Sequence, residues 1–420
     1  MRIAGSLPHS AAARIGGVAV AMVVVAEVAV WVLSPGDDAA IPAMVAEGDY
    51  FSASELETAR DYRSDQRWTM LAGLGVQTGV LLLVALGRPP AVRRGLERLG
   101  RRPVLGAAAA GAGVSVLIEL ATLPTRLVSH ERAADAGLSS QSLGSWLADV
   151  GRSAAIEIVI TAAGAALLMA LVRRFPRRWW LPGAAGVAGL AALFVWVAPV
   201  VLAPIFNKFE PLAEGSRARA DVLALGDKAD VEIGEVYSVD ASRRVTSLNA
   251  YVDGLGSTKR VVLYDNLLAD AERRELNSVV AHELGHVAHS DLGRGILYIA
   301  IVAPLGLLFV RELSHAIVER AALDPLRPAA IPAYLFAIGV ASFVLSIPGN
   351  QLSRQVEASA DRFALDLTGD PQALIDLHLR LARTNLSDPD PPPVFSAVFA
   401  THPSTVERIG AALGDSAVAK

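Results

Sequence analysis

Seven stretches of the chain stay apolar over roughly the thickness of a bilayer, and polar or charged segments separate them. A helix needs about 20 such residues to cross the hydrocarbon, each adding about 1.5 Å. The runs lie at Ile15–Leu33, Trp68–Gly87, Val104–Leu123, Ala154–Val172, Leu181–Ala203, Gly295–Val310 and Ala330–Pro348, and the last two are short. Arg2 and Arg14 precede the first run, as they would in a signal sequence. That run is long for a signal, however, and no small-residue cleavage motif follows it, so it is read as a span.

The remaining chain is polar and patterned like a folded domain. Between Asn207 and Asp291, helical spacing suits Ser216–Lys228, and β-like runs follow at Ile233–Val239 and Arg260–Tyr264. Asp270 is the expected N-cap of a helix running through Glu275, Val279, His282 and His286. A second polar region, Gln351 to Lys420, opens with a helix over Gln351–Leu367 that ends near Gly369. The proline-rich stretch Pro389–Pro393 interrupts it. The expected fold is mainly α: a polytopic membrane protein of about seven transmembrane helices with a small α+β domain.

Composition supports this reading. Hydrophobic residues make up 53% of the 420 and charged ones only 19%, below the roughly 25% of soluble domains. A net charge of −4 gives no reason to expect a nucleic-acid partner. Cysteine is absent, which excludes disulfides and thiolate ligands. Any metal must be held by His, Asp or Glu.

The sequence His282-Glu283-Leu284-Gly285-His286 carries the strongest chemical signal. On a helix, His282 and His286 project from one face and can share one Zn²⁺, with Glu283 beside it as general base for a water molecule. A catalytic zinc needs a third protein ligand. Glu357 in Glu357-Ala-Ser-Ala-Asp361 is the candidate, with Asp361 one turn on to accept a proton from a ligand histidine. His402 and Arg408 are candidates to stabilise an oxyanion. Asn249 and Tyr251 lie in an extended stretch to which a substrate strand could add. His289 reads as a solvated neighbour. Glu27, Glu119 and Glu157 lie within apolar runs and suggest a hydrated interior.

Taken together, these residues resemble the integral-membrane CAAX prenyl protease family of type I. The resemblance extends to Pro204-Ile-Phe-Asn-Lys-Phe-Glu-Pro-Leu212, Ser247-Leu-Asn-Ala-Tyr251, Lys259-Arg-Val-Val-Leu-Tyr-Asp265, His402-Pro403 with Arg408, and Gly137-Leu-Ser-Ser-Gln141 with Trp146 and Asp149. It implies a zinc endopeptidase whose seven spans enclose a hydrated chamber, with a zincin-like catalytic domain opening into it. One Zn²⁺ per chain would sit on His282, His286 and Glu357, with His402 and Arg408 near the scissile carbonyl. The partners implied are a peptide or protein substrate and the lipid bilayer. Val287 stands where the family often has tryptophan. The composition looks bacterial, where CAAX prenylation is not expected. On this reading residues 1–203 are a membrane region of five spans and 204–294 a metallopeptidase domain. Residues 295–350 supply two further spans, and 351–420 complete the catalytic domain.

Three rival readings remain. The heat-shock type of membrane protease has fewer spans. An intramembrane protease of the site-2 kind would need an aspartate in a later span. An inactive scaffold or transporter would have no use for Glu283. Charge and resemblance disagree on orientation. The second, fourth and sixth loops carry Arg88, Arg93, Arg94, Arg98, Arg101 and Arg102, then Arg173, Arg174, Arg177 and Arg178, then Arg311, Arg320 and Arg327. By the positive-inside rule those loops face the cytoplasm and the zinc domain faces outward. The family resemblance implies the opposite.

Overall fold

In a bilayer, apolar segments of this length can satisfy their backbone only as helices or closed barrels, and all seven runs are helical. The computed structural model describes residues 9–36, 43–87, 90–254 and 259–418. The chain opens with α1 (His9–Leu33), α2 (Ala53–Leu82), the short α3 (Pro90–Arg98), α4 (Pro103–Asp135), α5 (Leu143–Arg174) and α6 (Trp180–Val197). A wider π turn, Ala198–Leu202, carries α6 into α7 (Ala203–Phe206).

The polar domain follows as β1 (Phe209–Pro211), α8 (Arg217–Lys228), β2 (Glu235–Val239), β3 (Ala250–Asp253), β4 (Arg260–Tyr264), α9 (Asp265–Asp270) and α10 (Arg273–Ala288). Two long helices, α11 (Asp291–Arg320) and α12 (Ile331–Thr368), return through the membrane region. Then α13 (Pro371–Thr384), α14 (Pro393–Phe399) and α15 (Thr405–Val418) close the chain. Seven of these helices are long and apolar enough to span a bilayer.

Two local expectations need correction. Asp270 does not cap the HELGH helix but ends α9. Glu272 is the N-cap of α10, and its backbone N–H donates to Glu275 Oε2 (2.7 Å) in a reciprocal capping box. The last span and the Gln351–Leu367 helix are not separate either. They form one helix that runs through Pro348 and stops at Gly369, whose left-handed φ of 67° suits a residue without Cβ.

Three helices overrun their apolar runs on the same side of the membrane. The first turns of α2, the last turns of α4 and the first turns of α5 stand up around the polar domain and grip it. Arg63 donates to the carbonyls of Leu386 (2.8 Å) and Asn385 (2.6 Å). Arg67 pairs with Asp388 (3.0 Å), Arg383 with Glu55 (2.9 Å) and Arg244 with Asp149 (2.8 Å).

The sheet has strand order β1-β2-β4-β3, with β2 and β4 parallel and the outer pairs antiparallel. Its inner face packs on α10. The same core draws Val222, Val236, Leu263, Val280 and Leu284 together with Ala364, Leu374, Ile409 and Ala412, so chain before and after the two long helices shares one interior.

Candidate metal centre

The site is built where α10 crosses α12. Gly285 sets the closeness of that crossing, because a Cβ there would lie 3.2 Å from Ala360 Cα and 3.2 Å from Phe363 Cβ. The contact brings Glu357 of α12 against the histidine face of α10. His282 Nε2 lies 3.2 Å from His286 Nε2 and 3.2 Å from Glu357 Oε2, and His286 Nε2 lies 3.6 Å from Glu357 Oε1. Ligand atoms of the three residues all fall within 4.8 Å of one another.

The outer nitrogens are engaged. His282 Nδ1 donates to Asp361 Oδ1 (2.8 Å) and His286 Nδ1 to Asp291 Oδ2 (3.0 Å). Those bonds fix the tautomer, so both Nε2 atoms present lone pairs to the centre. Glu357 Oε2 is buried there without a hydrogen-bond donor. Three sets of lone pairs converging in a buried spot repel one another unless a cation lies between them, so the donor set fits a metal. In the absence of a cation, burial works against a protonated His282 ring, yet Asp361 and Glu357 outweigh it and hold the pKa up at about 10, so a metal on Nε2 would take the place of that proton.

Around this centre, Glu283 lines a cavity of about 340 Å³ together with His282, Asn249, His378, His402 and Arg408. Burial pushes its carboxyl up from the ordinary value, as suits a group that must take and release a proton. His402 Nε2 lies 3.3 Å from Glu357 Oε1, and its Nδ1 is 2.9 Å from the Thr401 hydroxyl. Arg408 reaches the site from behind: its Nε donates to Asp361 Oδ2 (2.7 Å), and its Nη2 also contacts that carboxylate.

Asn249 and Tyr251 part company. Asn249 lines the cavity at the start of edge strand β3. The Tyr251 ring packs with Val239 and Val262 on the other face of the sheet, and burial pushes its phenol up to about 12. Only its backbone belongs to the edge. His289 turns away from the centre, with Nδ1 3.3 Å from Ser359 Oγ and its ring edge-on to Phe363.

Sequence reading missed two residues. Asp291 orients the second histidine and is itself held by Arg294 (3.1 Å). The rule that a ligand histidine needs an acceptor on its outer nitrogen would have pointed to it. His378 is buried 3.9 Å from Asp361, and no spacing signal marks it.

Beyond His402 lies a larger cavity of about 1000 Å³ between α2, α4, α5 and the segment 387–402. Its wall carries Arg63, Gln66, Arg67, Gln77, Arg126 and Asp388 together with Glu119 and Glu157. Arg126 pairs with Glu119 (2.5 Å). Glu27 is exposed on α1 and does not share this wall.

Residues 214–415 match the family model of peptidase family M48, and residues 37–208 match the CAAX prenyl protease N-terminal model of five membrane helices. The chain belongs to peptidase family M48. As an M48 member it is an integral-membrane metalloendopeptidase, and the family implies a metal. An uncharacterized metalloprotease of Bacillus subtilis, YhfN, is 27% identical over 90% of this chain and 91% of its own length. The CAAX prenyl protease 1 homolog of Oryza sativa is 29% identical over 71% of each chain. The CAAX prenyl protease 1 of Saccharomyces cerevisiae is 26% identical over 71% of this chain and 70% of its own. In fold, the crystal structure of S. mikatae Ste24p superposes with a TM-score of 0.76 at 18% identity, covering 97% of this chain and 100% of that one.

Proposed function

We propose that this M48 enzyme is a zinc-dependent endopeptidase that cleaves polypeptide segments admitted to its membrane chamber, with no requirement for a prenyl group. The convergence of His282, His286 and Glu357 within 4.8 Å carries the reading, and the chain offers no thiolate that would favour a softer ion. Zinc bound there would polarise the scissile carbonyl and make an attacking water more acidic.

The chain's own residues do the rest. Glu283 takes the proton from water as its oxygen bonds to the carbonyl carbon, then delivers it to the amide nitrogen as the C–N bond breaks. The products are a carboxylate and an amine. His402, with Nδ1 accepting from Thr401, keeps its proton on Nε2 and donates it toward the carbonyl oxygen. Arg408 holds Asp361, and Asp361 holds His282. Substrate backbone aligns along β3. Because Tyr264 N–H donates to Asn249 C=O (3.1 Å), antiparallel alternation turns the backbone groups of Ala250 and Val252 toward the free edge.

The wall of the 1000 Å³ cavity supports a polypeptide substrate: Arg63, Arg67 and Arg126 share it with Met70, Leu74, Ile118, Phe395 and Phe399. The half-buried arginines, with Glu119 and Asp388, can solvate a peptide backbone, and the apolar side chains can receive its hydrophobic residues. Two measurements test the proposal. Glu283→Gln should abolish peptide cleavage while bound zinc stays near one per chain, whereas activity within about tenfold of wild type would remove Glu283 from the chemistry. Matched peptides with and without a farnesyl group should be cleaved at comparable rates. Strict dependence on the lipid would overturn the substrate reading and leave the chemistry standing.

A further inference from the structure

Where α5 enters the membrane and α7 leaves it, a separate cavity of about 320 Å³ opens beside the polar domain. Four cations line it, Arg152, Lys208, Arg243 and Arg244, against one acid, Asp149. That acid is already shared. Its oxygens accept from Arg244 Nε (2.8 Å), Gln141 Nε2 (2.6 Å) and Arg152 Nη1 (2.5 Å). Asp240, outside the lining, pairs with Arg243 (3.3 Å). Even with it counted, cations outnumber acids by two.

The four cations differ in freedom. Arg244 is pinned between Asp149 and Asn207 Oδ1 (3.1 Å), with only 18% of its side chain exposed. Arg152 and Arg243 keep 50% and 53% exposed, and Lys208 is exposed. A fixed charge therefore sits at the base with three adjustable ones at the rim.

The level of this cavity in the membrane identifies its ligand. The apolar run of α5 begins at Ala154, just past Arg152, and that of the fifth span ends at Ala203, just before the lining residue Pro204. The cations therefore stand at the boundary of hydrocarbon and water, where headgroup phosphates lie. Ile205 in the lining exposes an apolar side chain on the same rim.

We propose that this cavity binds the headgroup phosphate of an anionic phospholipid, with Arg152, Lys208 and Arg243 closing on the phosphate and the acyl chains leaving past Ile205. Zwitterionic lipids are disfavoured because their headgroup cation meets the arginines.

The test uses the purified full-length chain in detergent and native mass spectrometry, with dioctanoyl phosphatidylglycerol as probe. Wild type should retain one such lipid. The triple variant Arg152→Gln, Lys208→Gln, Arg243→Gln should bind it about tenfold or more weakly. Arg152→Lys with Arg243→Lys, which keeps the charge, should stay close to wild type. Neutralising Arg98, Arg101 and Arg178 on the opposite side should change nothing. Equal retention by wild type and the glutamine variant would overturn the proposal. So would equal binding of dioctanoyl phosphatidylcholine or dioctanoylglycerol, or competition by inorganic phosphate as effective as the lipid itself.

Discussion

Asp361 receives His282 Nδ1 on one oxygen and the Arg408 guanidinium on both, while only 2% of it is exposed. Asp291 has the same task toward His286 but shares its load with Arg294, which is 20% exposed. The two acids should therefore respond differently to loss of charge. Asp291→Asn should weaken zinc binding about 10–100-fold and leave the fold intact. Asp361→Asn should do the same and also strand the buried Arg408, costing about 3–5 kcal/mol of stability. Metal titration and thermal unfolding of the two variants side by side measure this, and equal unfolding temperatures would contradict the account. Glu357→Ala should be the most severe for metal, since it leaves two protein ligands where a catalytic zinc has three. Full zinc content in that variant would displace Glu357 from the centre. At this scale the candidate ligands were legible because HExxH and a helical Glu-x-x-x-Asp each encode one helix face. Asp291 was not, because it lies past the end of α10, across the Ser290 turn with its left-handed φ of 56°.

Between elements, the distance from α10 to α12 decides whether three ligands meet. Gly285 is the point of closest approach, and any side chain there must push Ala360 or Phe363 aside. Gly285→Val should cost about 1–3 kcal/mol by overpacking and lower zinc affinity as Glu357 is drawn away. Gly295→Ala in α11 is the control, because nothing lies within 4 Å of its added Cβ. It should be neutral or stabilising by up to about 1 kcal/mol. Zinc binding unchanged in Gly285→Val would mean that the crossing does not set the site. Helical periodicity predicted α8, which the Ser216 hydroxyl caps by accepting from Arg219 N–H (3.1 Å). It failed at the α9–α10 boundary, where Asp270 and Glu272 are both plausible caps and the reciprocal bond with Glu275 selects the latter. It also failed at Pro348, where sequence rules favour a break. The helix continues there because membrane helices tolerate an internal proline.

For the molecule as a whole, exposed arginines without an acid partner collect on the side of the membrane away from the metal site. On the side of the metal site, Arg67, Arg126, Arg132 and Arg152 are each paired with an acid of the protein itself. On the other side Arg14, Arg311 and Arg327 also pair with acids, whereas Arg98, Arg101, Arg174, Arg177 and Arg178 are exposed, with no ion pair among the described residues. Those exposed charges sit in short loops, where positive charge governs insertion. The charge rule therefore expects the metal domain outside the cytoplasm. The chain has no cysteine, so single introduced thiols report without background. On intact cells a membrane-impermeant maleimide should modify Glu214→Cys, exposed on the metal-domain side, and spare Arg101→Cys on the other. The reverse labelling would place the site in the cytoplasm.

Sequence by itself determined the spans, the HELGH face and the helical pairing of Glu357 with Asp361, because each is a local periodicity that a bilayer or a helix imposes on neighbouring residues. Tertiary structure alone decided that the chain on either side of two membrane helices builds one core, and that α2, α4 and α5 rise beyond their apolar runs to enclose a chamber of mixed lining. It also decided that Tyr251 turns away from the cavity Asn249 lines, and that basic residues from three distant segments gather at the membrane boundary. Those outcomes depend on which faces meet between separate elements, and no periodicity along the sequence carries that information.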